Sequence, residues 1–232
     1  MKNQYFLIRT STILTTVLWL STAPLPAETI HAEHDDATAK HSFEDVERWS
    51  KVFDNPERDI WQKPAEVMQS LALKAGMRVA DLGAGTGYFT RHLARAVGAS
   101  GSVLAVEVEP NLVRHLRQRA EQEGAANVTP ILGSTDNPRL PAGVLDLILI
   151  VDTYHHIDDR LQYMRRVRAA LAPAGRIAII DWYKKKLPEG PPVDHKIASK
   201  QVIDEMQRAG YRLEARSSLL PYQYFLIFSP EP

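Results

Sequence analysis

One stretch limits the fold more than any other. The short apolar run Arg78–Leu82 passes directly into Gly83-Ala84-Gly85-Thr86-Gly87, then into the amphipathic stretch Tyr88–Val97. A brief apolar run bounded by glycine reads as a buried strand, and the helical periodicity after it reads as an α-helix. The glycines allow a sharp turn and let a ligand approach with no Cβ in the way. Strand, glycine loop and helix in this order are the first half of a parallel βαβ unit. In open sheets of that kind, ligands bind beyond the carboxyl ends of the strands, near the point where strand order reverses.

The alternation continues downstream. Val103–Glu107, Val128–Leu132 and Arg176–Asp181 read as further strands, and Leu145–Val151 (LDLILIV) is apolar enough to be covered on both faces. Pro110–Glu123 reads as a helix with proline in its first turn and Gly124 beyond its end. Asp159 caps a helix expected to run to Leu171, where Pro173 and Gly175 stop it, and Ser199–Ala209 is another helix. Arg212–Ser217 and Tyr222–Phe228 are joined by only Ser218–Pro221, too short for a parallel crossover, so they should be antiparallel neighbours. The expected architecture is α/β and Rossmann-like. It has a mostly parallel seven-stranded sheet, helices on both faces and an antiparallel C-terminal hairpin.

Ahead of this domain (76–232) lie three segments. Residues 1–27 read as a secretory signal peptide: Lys2 and Arg9, then apolar Ile13 to Leu20, then small residues and prolines up to Ala27. The apolar run is shorter than the roughly 20 residues a membrane span needs. An uncleaved anchor and a cytosolic start are the alternatives to export, with the bacterial periplasm the expected destination. Residues 28–42 are polar and aperiodic, a flexible linker. His31, His34 and His41 with Asp35 and Asp36 lack surroundings that would orient metal ligands, so no metal is expected. Residues 43–75 should form two helical pieces, a lid segment carrying Trp49, Asp59, Trp61 and Gln62.

Charge narrows the partners. Removal of residues 1–27 leaves 26 basic against 28 acidic side chains, which argues against general nucleic-acid binding. Lys184-Lys185-Lys186 reads as a solvated loop. The absence of cysteine excludes disulfides, thiolate metal sites and a cysteine nucleophile.

The glycine spacing discriminates between cofactors. A dinucleotide fingerprint is G-x-G-x-x-G, but its third glycine position is Tyr88, and no G-K-[ST] of a P-loop follows. A nicotinamide oxidoreductase is therefore disfavoured. The pattern Asp81-x-Gly83-x-Gly85-x-Gly87 resembles motif I of class I S-adenosylmethionine-dependent methyltransferases. The resemblance implies that Asp81, Gly83, Ala84, Gly85, Gly87 and Tyr88 form the loop around the methionine and sugar of S-adenosylmethionine. It places the ribose on Glu107 and the adenine on Val108, with Glu109 as the alternative acid. Relatives often carry G-D after the third strand. Here Ser134 stands at the acidic place and Asp136 two residues later, so either is left to contact the adenine amino group.

Val151-Asp152-Thr153-Tyr154-His155-His156 ends the fourth strand, where small-molecule methyltransferases place substrate-facing residues. His155 and His156 are the candidate general bases, because imidazole titrates near neutrality. Adjacent residues do not readily point the same way, so one should serve, with His155 favoured. Asp152 is expected to bind the cofactor ammonium or orient a histidine. His195 falls on a loop near the site, and Tyr222 and Tyr224 on one face of the last strand. The likeness extends over roughly 64–228. It includes a subgroup of exported bacterial methyltransferases with a YHH segment, and ubiquinone/menaquinone-type enzymes. It implies methyl transfer to a small-molecule acceptor, with a non-catalytic cofactor-binding scaffold as the alternative.

Overall fold

A computed structural model describes residues 45–231. The signal segment (1–27), the linker (28–42) and the first residues of the lid segment lie outside the described residues. The lid segment contains three helices rather than two: α1 (Val46–Phe53), α2 (Arg58–Gln62) and α3 (Pro64–Leu71). The extra break comes at Lys63, whose left-handed backbone (φ 47°) ends α2, while Pro64 begins α3 with the fixed φ that suits a first helical position.

The domain follows as β1 (Arg78–Leu82), α4 (Tyr88–Val97), β2 (Ser102–Glu107), α5 (Pro110–Gln122), β3 (Val128–Leu132), β4 (Leu145–Val151), α6 (Arg160–Arg168), β5 (Leu171–Trp182), α7 (Ser199–Arg208), β6 (Tyr211–Ser217) and β7 (Gln223–Pro230). The sheet order is β3-β2-β1-β4-β5-β7-β6. Strands β1 to β5 pair in parallel, and β7 runs antiparallel to both β5 and β6. The expected hairpin is therefore present, and its second strand is the one that joins the sheet.

One boundary differs. Strand β5 begins at Leu171, not Arg176, and α6 ends at Arg168, so Pro173 and Gly175 lie in a bulged start of the strand and not in a turn before it. Leu145 pairs with Leu171 before the register jumps to Leu147 opposite Arg176. A Cβ on Gly175 would lie 2.4 Å from the Leu145 carbonyl oxygen, so glycine is what permits the bulge.

Both faces of the sheet are covered. Alternation sends Ala80, Leu82, Ile148, Ile150, Ile177 and Ile179 into a core with Met164, Val167, Val202 and Met206 of α6 and α7. It sends Val79, Leu147, Leu149, Ala178 and Ile180 into a second core with Val67, Leu71, Phe89 and Leu93 of α3 and α4. Strand order reverses between β1 and β4, which places the switch point where the loops after these strands emerge. Among the described residues no helix is long and apolar enough to cross a membrane.

Candidate functional site

The glycine loop caps β1. Gly83, Gly85 and Gly87 all have positive φ (80°, 56° and 91°), the region that favours glycine. Space is a separate constraint. A Cβ at Gly83 would lie 2.2 Å from Thr153 Oγ1, and one at Gly87 would lie 2.9 Å from Leu116 Cδ2. Packing therefore excludes a side chain at Gly83, where Thr153 is close down to its Cβ, whereas at Gly87 the tip of Leu116 can yield and the positive φ is the stronger demand. At Gly85 the nearest side chain is the Phe53 ring of the lid segment, 3.6 Å from an ideal Cβ. The N–H groups of Gly83 and Ala84 both donate to the Val106 carbonyl oxygen (2.9 and 3.0 Å), which ties the loop to β2.

Asp81 lies beneath this loop. It is buried, and its carboxylate accepts a hydrogen bond from Thr90 Oγ1 at 2.6 Å. Burial pushes its carboxyl up to about 6, with the Thr90 hydrogen bond opposing the shift. The geometry gives Asp81 the task of pinning α4 to β1. Tyr88 opens α4, and its hydroxyl donates to Asp59 of α2.

Glu107 closes the other side. Its Oε2 accepts from Gly85 N–H at 2.9 Å, and Oε1 accepts from the N–H groups of Val108 (2.6 Å) and Glu109 (3.2 Å). Burial raises its carboxyl above the usual carboxylate range, and these backbone donors hold the shift in check. A carboxylate offers about four lone-pair positions, and three are taken here by backbone. Val108 follows with 41% of its surface exposed, an apolar side chain open beside the acid. Across β3, Ser134 Oγ donates to Asp136 Oδ1 at 2.7 Å, and Arg166 pairs with Asp136 at 3.3 Å. Both lie toward the surface, and Asp136 is 75% exposed.

The carboxyl end of β4 carries the other titratable groups. Asp152 has φ 52°, left-handed for a residue with a side chain and an uncommon state for anything but Gly, Asn or Asp. His155 and His156 occupy a 3-10 turn, Tyr154–His156. Contrary to expectation, their rings lie against each other, with centroids 4.1 Å apart and 39° between planes. The tight turn lets neighbouring imidazoles lie side by side. His155 Nδ1 sits 2.9 and 3.0 Å from the two oxygens of Asp181, which also accepts from the N–H groups of Trp182 (2.8 Å) and His155 (3.2 Å). Burial lowers the His155 pKa, but the charge and hydrogen bond of Asp181 outweigh it and the net shift is upward. Tyr154 is a wall: it is buried and its hydroxyl donates to Glu205.

Side chains of α2 pack against this end. Arg58 Nε donates to Gln62 Oε1 (2.7 Å), one terminal nitrogen donates to the Phe53 carbonyl oxygen (2.9 Å), and the other lies 3.4 Å from Asp152 Oδ2. Gln62 donates to Gln223 Oε1 at 2.9 Å, and Gln223 donates to Asp152. Burial raises the Asp152 carboxyl to about 7, with the Arg58 cation opposing. Trp61 packs on Trp182 and Tyr222 with centroids 5.2 and 6.2 Å away. On the glycine-loop side, Arg119 of α5 bonds both Asp54 and the Thr86 carbonyl oxygen. His195 lies in a separate 3-10 turn, Val193–His195.

Arg58, Thr153, Asp181 and Gln223 belong to this arrangement and were not singled out by sequence. A signal for Asp181 existed: it ends the apolar run Ile177-Ala178-Ile179-Ile180, as Asp81, Glu107 and Asp152 stand at the ends of β1, β2 and β4. Among the described residues no group of three or more His, Cys, Asp or Glu could hold a metal.

Residues 79–175 match the model of a methyltransferase domain family. Demethylmenaquinone methyltransferase of Lactococcus lactis is 24% identical over 144 residues, 62% of this chain and 56% of the relative. The ubiquinone/menaquinone biosynthesis C-methyltransferase UbiE of Pasteurella multocida is 26% identical over 113 residues, 48% of this chain and 42% of the relative. The chain thus spans about half the length of the curated relatives it matches. A SAM-dependent methyltransferase from Aquifex aeolicus superposes with a TM-score of 0.75 at 26% identity, over 79% of this chain and 97% of that one. The fold is the one seen in the Aquifex aeolicus enzyme, and the matched segment is similar to a methyltransferase domain.

Proposed function

We propose that this chain, with its methyltransferase domain at residues 79–175, transfers the methyl group of S-adenosylmethionine to a small-molecule acceptor. One observation carries the reading. Glu107, 7% exposed at the end of β2, is held against the Gly85 N–H while an open apolar side chain, Val108, follows it. An acid so placed suits a ribose hydroxyl, and the apolar neighbour suits a purine face. With three acceptor positions already used, Glu107 takes one ribose hydroxyl without disturbing the loop.

The bound cofactor supplies a methyl group already activated by a sulfonium centre. The protein's tasks are alignment, exclusion of water and removal of a proton from the acceptor. His155 is the base. With its Nδ1–H donated to Asp181, the neutral ring carries its lone pair on Nε2. Asp181 keeps the imidazole basic, its charge and hydrogen bond outweighing the opposing effect of burial. Trp61, Trp182 and Tyr222 form an aromatic wall that keeps water from the strand ends. The balanced charge favours a small, uncharged or apolar acceptor over nucleic acid. Residues 1–27 are assigned to export, in keeping with the likeness to exported YHH-segment methyltransferases. The mass of the N-terminus in native cells tests this, and full-length chain in the cytosol sinks it.

Calorimetric titration of S-adenosylmethionine, and separately NADH, into the protein and its Glu107→Ala variant tests the cofactor. The expected result is binding of S-adenosylmethionine alone, weakened in the variant by about 1–3 kcal/mol, the cost of unpaired buried polar groups. No binding of S-adenosylmethionine by folded protein refutes the reading. Binding without transfer of a labelled methyl to any of a panel of phenolic, amine and quinol acceptors leaves a cofactor-binding scaffold.

A further inference from the structure

We infer that the Tyr224 hydroxyl is a hydrogen-bond donor kept for the methyl acceptor, and that the acceptor is therefore an oxygen acid, a phenol or an enol, and not an amine. This rests on the acceptor reading above and names its chemical class.

Strand pairing puts Tyr224 beside the proposed base. Tyr224 of β7 stands directly opposite Asp181 of β5. Residues so paired point to the same face of the sheet, with Cβ atoms about 4.5–5.5 Å apart. From that position Asp181 holds His155 Nδ1. Tyr224 and His155 thus flank one carboxylate at the carboxyl end of β5. The Tyr183 ring meets Tyr224 edge-on, with centroids 6.1 Å apart and 69° between planes, which limits its rotation.

The hydroxyl is buried and has no hydrogen-bond partner among the described residues. Other buried tyrosines are satisfied: Tyr88 donates to Asp59, Tyr154 to Glu205 and Tyr211 to the Met164 carbonyl oxygen. A lone buried donor costs desolvation that a phenylalanine would not. Acids lie nearby, but their lone pairs are taken. A carboxylate offers about four such positions. Both oxygens of Asp181 face His155 Nδ1, and they also accept from the N–H groups of Trp182 and His155. Glu205 accepts from Tyr154, Gln201 and, at both oxygens, Arg160. Asp152 is engaged by Gln223, which alternation along β7 sends to the opposite face. Burial, and then the charge of Asp181, raise the Tyr224 hydroxyl above its usual range, so it stays a donor.

A donor beside a base suits an oxygen acid. His155 Nε2 takes the O–H proton, the electron pair left behind makes an oxyanion, and Tyr224 donates to that oxygen. The pair on the oxyanion, or on a carbon conjugated with it, then bonds the methyl carbon as the sulfonium S–C pair returns to sulfur. An amine attacks through a lone pair it already has and develops positive charge, which a hydroxyl donor does not stabilise. The exposed His156 ring lies on His155, so an acceptor reaches both groups by turning that ring aside.

Tyr224→Phe removes only the hydroxyl, and two measurements separate this role from a structural one. In urea the variant's unfolding midpoint should equal or exceed that of wild type, because an unpartnered buried group is lost. Transfer of label from S-adenosylmethionine is then followed with each phenol and quinol of the acceptor panel, paired with the arylamine of the same skeleton (1-naphthol with 1-naphthylamine, for example). Wild type should favour the oxygen acceptor by at least about tenfold in kcat/KM. Tyr224→Phe should lower kcat/KM for that acceptor about ten- to hundredfold, the scale of a hydrogen bond to a charged oxygen, with affinity for S-adenosylmethionine held within about threefold. A lower midpoint in the variant, an unchanged rate, or a preference for the arylamine overturns the inference. Binding of S-adenosylmethionine without transfer to any member overturns it together with the acceptor reading. Failure of folded wild-type protein to bind S-adenosylmethionine overturns the cofactor reading, and this inference with it.

Discussion

The two sides of the site are built differently. On the glycine-loop side, contacts are local: Thr90 reaches Asp81 across 9 residues, and Gly85 reaches Glu107 across 22. On the β4 side they are long: Arg58 to Asp152 spans 94 residues, Gln62 to Gln223 spans 161 and Gln223 to Asp152 spans 71. The first side is a loop fixed by its own strand, helix and neighbouring strand, and backbone groups do most of the bonding. The second is a side-chain network gathered from α2, β4, β5 and β7 that exists only when the whole sheet is assembled. A backbone-bonded loop faces a side-chain network that depends on four separate elements.

The largest effect should come from the glycine loop. Gly83→Ala forces a Cβ into Thr153 at φ 80°, and should cost about 2–5 kcal/mol in urea unfolding, combining strain and overpacking. Gly85→Ala, with φ 56° but the Phe53 ring at an ordinary contact distance, should cost only about 1–2 kcal/mol. Equal costs at the two positions would mean that backbone conformation alone, and not Thr153, sets the requirement.

On the network side, Gln223→Leu removes the link between Gln62 and Asp152 and should cost about 1–3 kcal/mol of stability by leaving buried groups unpaired. A smaller effect should appear with pH. The Asp152 carboxyl is raised to about 7 by burial, so the folded state holds its proton more tightly than the unfolded chain. The resulting stability is present below about pH 4 and is lost as pH rises through about 7. Asp152 is partly exposed, so the ligand-free protein should lose about 1–2 kcal/mol between pH 5 and 8, and Asp152→Asn should flatten that slope. A slope unchanged in the variant would assign the titration to Asp81, which burial raises to about 6. The smallest effect belongs to Asp136→Ala on the exposed β3 loop, where no measurable change in the unfolding midpoint is expected. Any loss of cofactor affinity in that variant then reads directly as an adenine contact.

This contrast explains what sequence made legible. Leu145–Val151 announced a strand covered on both faces because each of its apolar residues reaches one of two cores, and the alternate glycines announced the loop because positive φ leaves few other residues. The short link before β7 announced its antiparallel sense. The register jump at the start of β5 was hidden, since a Pro-Ala-Gly stretch reads as a turn until Leu145 is seen opposite Leu171. His155 was visible as a titratable residue at a strand end, but its partner Asp181, 26 residues away, is chosen by sheet order. Arg58 was overlooked beside Trp61 and Gln62 because nothing local distinguishes a lid arginine from a solvated one.

The most direct test of the central claim is a crystal structure of the protein with S-adenosylhomocysteine. The expected result is a ribose hydroxyl within hydrogen-bonding distance of Glu107 and the purine against Val108. A nucleoside bound elsewhere, with Glu107 bonded only to the backbone of Gly85, Val108 and Glu109, would contradict the account.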